Sequence, residues 1–143
     1  MSTNLEHFSN LSSAQSFLTK FGICKTRDEA TKYLRSRIPS ESVYQTNIMK
    51  HLKKICPGAF IWKAAAGPYS RRGIPDVNMV YAGKFYGFEV KRPYFGKISK
   101  LQEDVIEKIN KAGGRAAVVT FPEEAETLVQ LSERDWRDFI ERG

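Results

Sequence analysis

The chain has 143 residues, of which 41% are hydrophobic and 27% charged. That is enough apolar material for one domain with a small appendage and excludes wholesale disorder, and no apolar run approaches the roughly 20 residues needed to cross a bilayer. The net charge of +7 is unevenly spread: residues 41–100 hold eleven Lys/Arg against three acids, whereas residues 101–143 hold six against ten.

A basic segment of this density suits a polyanion such as nucleic acid. Its only acids are Glu41, Asp76 and Glu89, and an anion-binding surface should be poor in carboxylates, so each asks for a reason. Cys24 and Cys56 stand apart, and with only His7 and His51 beside them a zinc cluster is nearly excluded. The first residues lack the basic start and apolar stretch of a signal peptide. The expectation is a reduced, intracellular, cytoplasmic protein with no membrane partner.

In chain order, Ala14, Phe17, Leu18 and Phe21 form one helical stripe from Leu11, behind Ser12/Ser13 as cap and before Gly22 as stop. Thr26 to Glu29 is a capping-box pattern opening a second helix with Ala30, Tyr33 and Leu34, which Pro39 ends. These two helices predict an amino-terminal appendage over residues 1–38, with the main domain over 39–143. A third helix opens at Ser40 with Tyr44, Ile48, Leu52 and Ile55 as its stripe, and Glu41 shares that stripe. Ala59 to Lys63 reads as a strand, with Trp62 taken as core rather than as a base-stacking platform. Ala64 to Gly73 is a loop carrying Gly67, Pro68, Tyr69, Arg71 and Arg72. Asp76–Tyr81 and Lys84–Lys91 form a hairpin about Ala82-Gly83. Ser99 and Gln102 cap a helix carrying Leu101, Val105, Ile109 and Ala112, stopped at Gly113-Gly114. Arg115 to Phe121 is the fourth strand. Acid-rich helices follow over 122–131 and 132–142, the second burying Trp136, Phe139 and Ile140. Helix, three strands, helix, strand describes an α/β sandwich with a mixed sheet.

Glu89 and Lys91, two apart on one strand, leave the same face, while Tyr86, Phe88 and Val90 take the other. Gly87 shares the face of Glu89 and admits a close approach. Asp76 begins the antiparallel neighbour, which sets it near Glu89 and Lys91. Two carboxylates 4 Å apart repel by about 4 kcal/mol at an effective dielectric near 20. A divalent cation relieves this, and Mg²⁺ or Mn²⁺ suits two carboxylates with the Val90 carbonyl as a further ligand. Such an ion activates water and stabilises charge on a phosphodiester, and Lys91 would hold the water or the phosphate. A single E-x-K is an ordinary ion pair on a hairpin. The inner-face helix acid, Pro-Asp on one strand and E-x-K on the next make a stronger set.

That set has a precedent. Glu41-x-x-Tyr44-Gln45-x-x-Ile48-x-x-x-Leu52, Arg72-Gly73-Ile74-Pro75-Asp76, Gly87-Phe88-Glu89-Val90-Lys91, Ser99-x-x-Gln102 and Gly113-Gly114, in that order, resemble the VRR-NUC nucleases of the PD-(D/E)xK superfamily. The resemblance implies a restriction-endonuclease-like αβββαβ core with a mixed sheet. It implies that Asp76 and Glu89 bind metal, that Lys91 completes the motif, that Glu41 is the helix acid and that Gln102 is the polar residue of the next helix. It also implies cleavage of branched DNA, such as flaps or Holliday junctions, by a homodimer; Phe17, Leu18, Phe21 and the 136–140 stripe are candidate interface material.

For contact with DNA the candidates are Arg71 and Arg72 on the loop entering Asp76, with Arg92, Lys97 and Lys100 beyond the strand. Lys63, ending its strand, is open either to solvent or to the scissile phosphate. His51 has no carboxylate at helical spacing and is taken as a surface histidine. The expected activity is that of a Mg²⁺- or Mn²⁺-dependent endodeoxyribonuclease. The alternatives are a non-catalytic nucleic-acid-binding protein on the same fold and an interaction protein using its basic face.

Overall fold

A computed structural model describes residues 4–65 and 71–142. Gly67, Pro68 and Tyr69 of the expected loop lie outside the described residues. The chain divides into two units, and the first runs to Ser40 and takes in Arg92–Gly96 from much later in the sequence.

In the first unit a 3-10 turn at Leu5–His7 precedes α1 (Leu11–Lys20) and α2 (Arg27–Arg37). Ala14, Leu18, Ala30 and Leu34 are its fully buried apolar residues. The cap of α1 is Asn10, whose side chain accepts from the backbone N–H of Ser13 at 2.8 Å, rather than Ser12 or Ser13. At α2 the box is half-formed as expected: Thr26 accepts from Glu29 N–H, but the Glu29 carboxylate accepts from Lys25 N–H. The pair does not stand alone over 1–38, because two helices this short expose their end groups. The Tyr94 hydroxyl accepts from Phe8 N–H at 2.9 Å and donates to the Leu5 carbonyl. The Arg92 guanidinium donates to the carbonyls of Arg35 and Ile38 at 3.2 and 3.0 Å, satisfying the end of α2 where a cation is also favoured by the helix dipole.

The second unit holds α3 (Glu41–Ile55), β1 (Phe60–Lys63), β2 (Val77–Tyr81), β3 (Lys84–Val90), α4 (Lys100–Lys111), β4 (Arg115–Val119), α5 (Pro122–Gln130) and α6 (Glu133–Arg142). The sheet order is β1-β2-β3-β4, antiparallel except for the parallel β3–β4 pair. This is the αβββαβ order with a mixed sheet. The β2–β3 turn is two residues long, with Ala82 and Gly83 both at positive φ (50° and 76°), the geometry that matches strand twist in a tight hairpin.

Register divides the sheet faces. Val77, Met79, Tyr86, Phe88, Val90 and Val119 are buried on one face, which α3 and α5 cover. Arg115, on that face, is itself buried, donating to the carbonyls of Leu128 and Leu131 and pairing with Glu133, so it pins the α5–α6 turn. The other face carries Phe60, Trp62, Asn78, Val80, Phe85, Gly87, Glu89, Ala116 and Val118, and α4 lies over its β3–β4 half. Asn110 of α4 accepts from Ala116 N–H and donates to Ala116 O, which satisfies backbone groups of β4.

Three packing expectations are corrected. Trp62 is 37% exposed, since α4 leaves the β1–β2 half of its face open. In α6 only Trp136 is buried, under the Arg115 guanidinium, while Phe139 is 53% exposed. Leu101 and Ala112 of α4 are exposed although Val105 and Ile109 are half-buried. As expected, His51 has no carboxylate at helical spacing; Glu126 of α5 lies 3.5 Å away, a neighbour that spacing within α3 cannot reveal.

Candidate active site

Pairing of Val77 with Phe88 puts Asp76, just before β2, across from Glu89 on the face shared with Lys91. Glu89 is 1% exposed. Its Oε1 accepts from Gln102 Nε2 at 2.7 Å and lies 3.5 Å from Lys91 Nζ. Its Oε2 is buried with no hydrogen-bond donor among the described residues. Burial chiefly, and then the neighbouring Asp76 charge, push the Glu89 carboxyl up to about 8, against the pull of Lys91. The Asp76 carboxylate lies near enough to Glu89 for its charge to act on that carboxyl.

Local structure holds each group. Asp76 Oδ2 accepts from Val90 N–H at 3.0 Å, and its carbonyl accepts from Ala64 N–H at 2.8 Å. Gln102 is fixed from behind by a complete capping box, its amide oxygen accepting from Ser99 N–H and its N–H donating to the Ser99 hydroxyl. Gly87 is required because a Cβ there would stand 2.8 Å from Pro75 Cγ, so the glycine lets the Pro75-Asp76 segment lie against β3. Asn78, buried on this same face, donates to the Pro75 carbonyl at 2.9 Å and so braces the residue before Asp76. Sequence reasoning missed Asn78; its signal is a polar residue two positions after Asp76 in an otherwise apolar strand.

The donor set fits a hard divalent cation. It has two carboxylates and only oxygen ligands on offer, and a buried carboxylate oxygen lacks any donor to satisfy it. Among the described residues no group of three or more His, Cys, Asp or Glu comes together. Both cysteines are free and buried.

The structure brings together Asp76, Glu89, Lys91 and Gln102, with the Val90 backbone between the two motif residues. Glu41 opens α3, half-buried, one turn before the buried Tyr44 and Gln45. The candidate DNA-contacting residues are dispersed. Arg71 and Arg72 are exposed on the approach to Asp76, and Lys97 is exposed. Lys100 is exposed and paired with Asp104 at 3.2 Å. Lys63 pairs with Val77 and so projects from the face opposite Glu89. Arg92 is occupied by the carbonyls that end α2.

The chain is similar to a VRR_NUC domain. A solved chain of that description aligns with a TM-score of 0.48 and 22% identity, covering 61% of this chain and 95% of the other. No family model and no curated protein matches the sequence. Among the described residues no helix is long and apolar enough to cross a membrane.

Proposed function

We propose that the chain is a Mg²⁺- or Mn²⁺-dependent endonuclease that hydrolyses phosphodiester bonds in DNA, acting on branched structures. The observation that carries this is the Glu89 carboxylate, buried beside a second acid with one oxygen left without a donor and the other held by Gln102 and Lys91. Burying a carboxyl beside a second acid with one oxygen unsatisfied costs stability, which points to a functional rather than a structural role.

Asp76, Glu89 and the Val90 carbonyl are the residues that would hold the ion. When bound, it lowers the pKa of a water and stabilises charge on the phosphodiester. The chain's own groups do the rest. Gln102 fixes the rotamer of Glu89, and the Val90 N–H fixes that of Asp76. Lys91 donates to the attacking water or to a phosphate oxygen. In the reaction the water oxygen forms a new bond to phosphorus and gives up one proton to solvent, the bridging P–O bond breaks, and the departing oxygen takes up a proton from solvent. The preference for branched DNA, and a homodimer to cut a two-fold symmetric junction at both arms, follow the sequence resemblance.

The test is incubation with labelled single strand, duplex, flap, splayed duplex and four-way junction, each with Mg²⁺, Mn²⁺ or EDTA. Cleavage with metal that EDTA stops is the expected result. Binding without cleavage of any substrate under either metal would reduce the protein to a binding module.

A further inference from the structure

The face that carries Asp76 and Glu89 continues away from them into an aromatic surface. Phe60 is 68% exposed and Trp62 37% exposed. Their ring centroids are 5.3 Å apart, and Trp62 is 6.2 Å from Phe85 on β3. The register places Phe60, Val80 and Phe85 in one cross-strand row, Trp62, Asn78 and Gly87 in the next, and Asp76 with Glu89 in the row after that. One row along and one strand across is about 8 Å between Cα positions, so Trp62 lies on the order of one or two nucleotides from the acids. We infer that Phe60, Trp62 and Phe85 form a stacking platform for unpaired bases, so that the substrate enters the site as a single-stranded segment. This rests on the nuclease proposal above.

Three features favour bases over another occupant. The most exposed residue of the surface is aromatic, Phe60, with Trp62 and the aliphatic Val80 exposed beside it, and every base offers a π-face to stack on. It is continuous with the acids that would meet the phosphodiester. Arg71 and Arg72, exposed on the segment that leads into Asp76, offer cations to the backbone of a strand whose bases lie on the rings. Large aromatic side chains exposed side by side on a sheet face are also uncommon without a partner. A paired duplex keeps its bases stacked inside and cannot use such a platform, whereas the unpaired arm of a flap or splayed end can.

Tryptophan fluorescence reads this directly, because the other tryptophan, Trp136, is buried under Arg115. The full chain would be titrated in EDTA, where nothing is cut, with an oligothymidylate and with a blunt duplex of matched length, following emission together with anisotropy of the labelled DNA. The oligothymidylate should quench the emission and the duplex should not. Trp62→Ala should abolish the quench and weaken oligothymidylate binding on the order of tenfold, Phe60→Ser should also weaken it, and Trp62→Phe should keep most of the affinity. An oligothymidylate that binds by anisotropy without quenching would overturn the inference while leaving metal-dependent cleavage to be judged separately. So would a Trp62→Ala protein that binds as well as wild type but changes its mass in light scattering, which would mean that the rings meet a second copy of the chain. Quenching and its loss in Trp62→Ala, found in a protein that cleaves nothing, would uphold the platform and reject the nuclease.

Discussion

The Asp76 carboxylate accepts the backbone N–H of Val90 at 3.0 Å, tying the start of β2 to the residue between Glu89 and Lys91. One hydrogen bond thus ties the position of Asp76 to the strand that carries Glu89. Asp76→Asn keeps an acceptor for that N–H and removes only the charge. It should fold with a melting temperature near that of wild type and lose at least ~10²-fold in cleavage, as should Glu89→Ala and Lys91→Ala. Asp76→Ala should in addition lose about 1–3 kcal/mol of stability, because it strands a partly buried N–H. Denaturant melts with single-turnover cleavage check both, and wild-type cleavage by folded Asp76→Asn would remove the assignment.

The raised Glu89 carboxyl predicts a stability profile. The folded metal-free protein keeps a proton on Glu89 up to about 8, whereas the unfolded chain releases it near 4.5. Between those values the native state binds more protons than the unfolded one, so stability is fully present below the window and falls as pH rises through it. Glu89→Gln should flatten that fall, and Mg²⁺ or Mn²⁺ should reverse it in wild type by favouring the ionised form. Thermal melts from pH 4 to 9 in EDTA, and again with metal, measure the effect; a wild-type profile in EDTA that rises across the window would show that Glu89 is ionised in the fold.

The hairpin, its faces and its acids are legible in sequence, because strand alternation and a two-residue turn fix which side chains oppose each other. Gly87 is legible for the same reason: a residue without Cβ beside an acid marks an approaching backbone, here Pro75. The Glu89–Gln102 bond needed the resemblance, since the Ser99–Gln102 pattern alone states only a helix cap. Arg92 and Trp62 escape because their fates are set by long-range packing. Arg92 ends up on the carbonyls of a helix more than fifty residues away, and whether Trp62 is covered depends on how far α4 extends across the sheet.

Gln102 serves both as cap and as clamp on Glu89, and the two roles separate by substitution. Gln102→Glu retains an N3 acceptor for Ser99 N–H but sets a negative charge against Glu89 in place of a donor. It should keep helix stability within about 1 kcal/mol and lower kcat with a shifted pH profile, whereas Gln102→Ala should lose both cap and clamp. Unchanged kcat and pH profile in Gln102→Glu would confine the residue to capping.

Arg71 and Arg72 bear on affinity rather than chemistry. The double alanine variant should bind DNA more weakly across sequences and with a shallower dependence on salt, because fewer counterions are released. Glu89→Ala should bind as well as wild type or slightly better. Anisotropy at several salt concentrations in EDTA gives both slopes; identical slopes for the double variant and wild type would place the DNA surface elsewhere.

The central claim is that Asp76 and the donor-free oxygen of Glu89 are made to hold a divalent ion, and Mn²⁺ binding followed by electron paramagnetic resonance tests it without any substrate. Wild type should remove free Mn²⁺ signal with one site per chain, Mg²⁺ should compete for that site, and Asp76→Asn and Glu89→Gln should each lose it while remaining folded by circular dichroism. Equal Mn²⁺ binding by wild type and folded Glu89→Gln would contradict the claim.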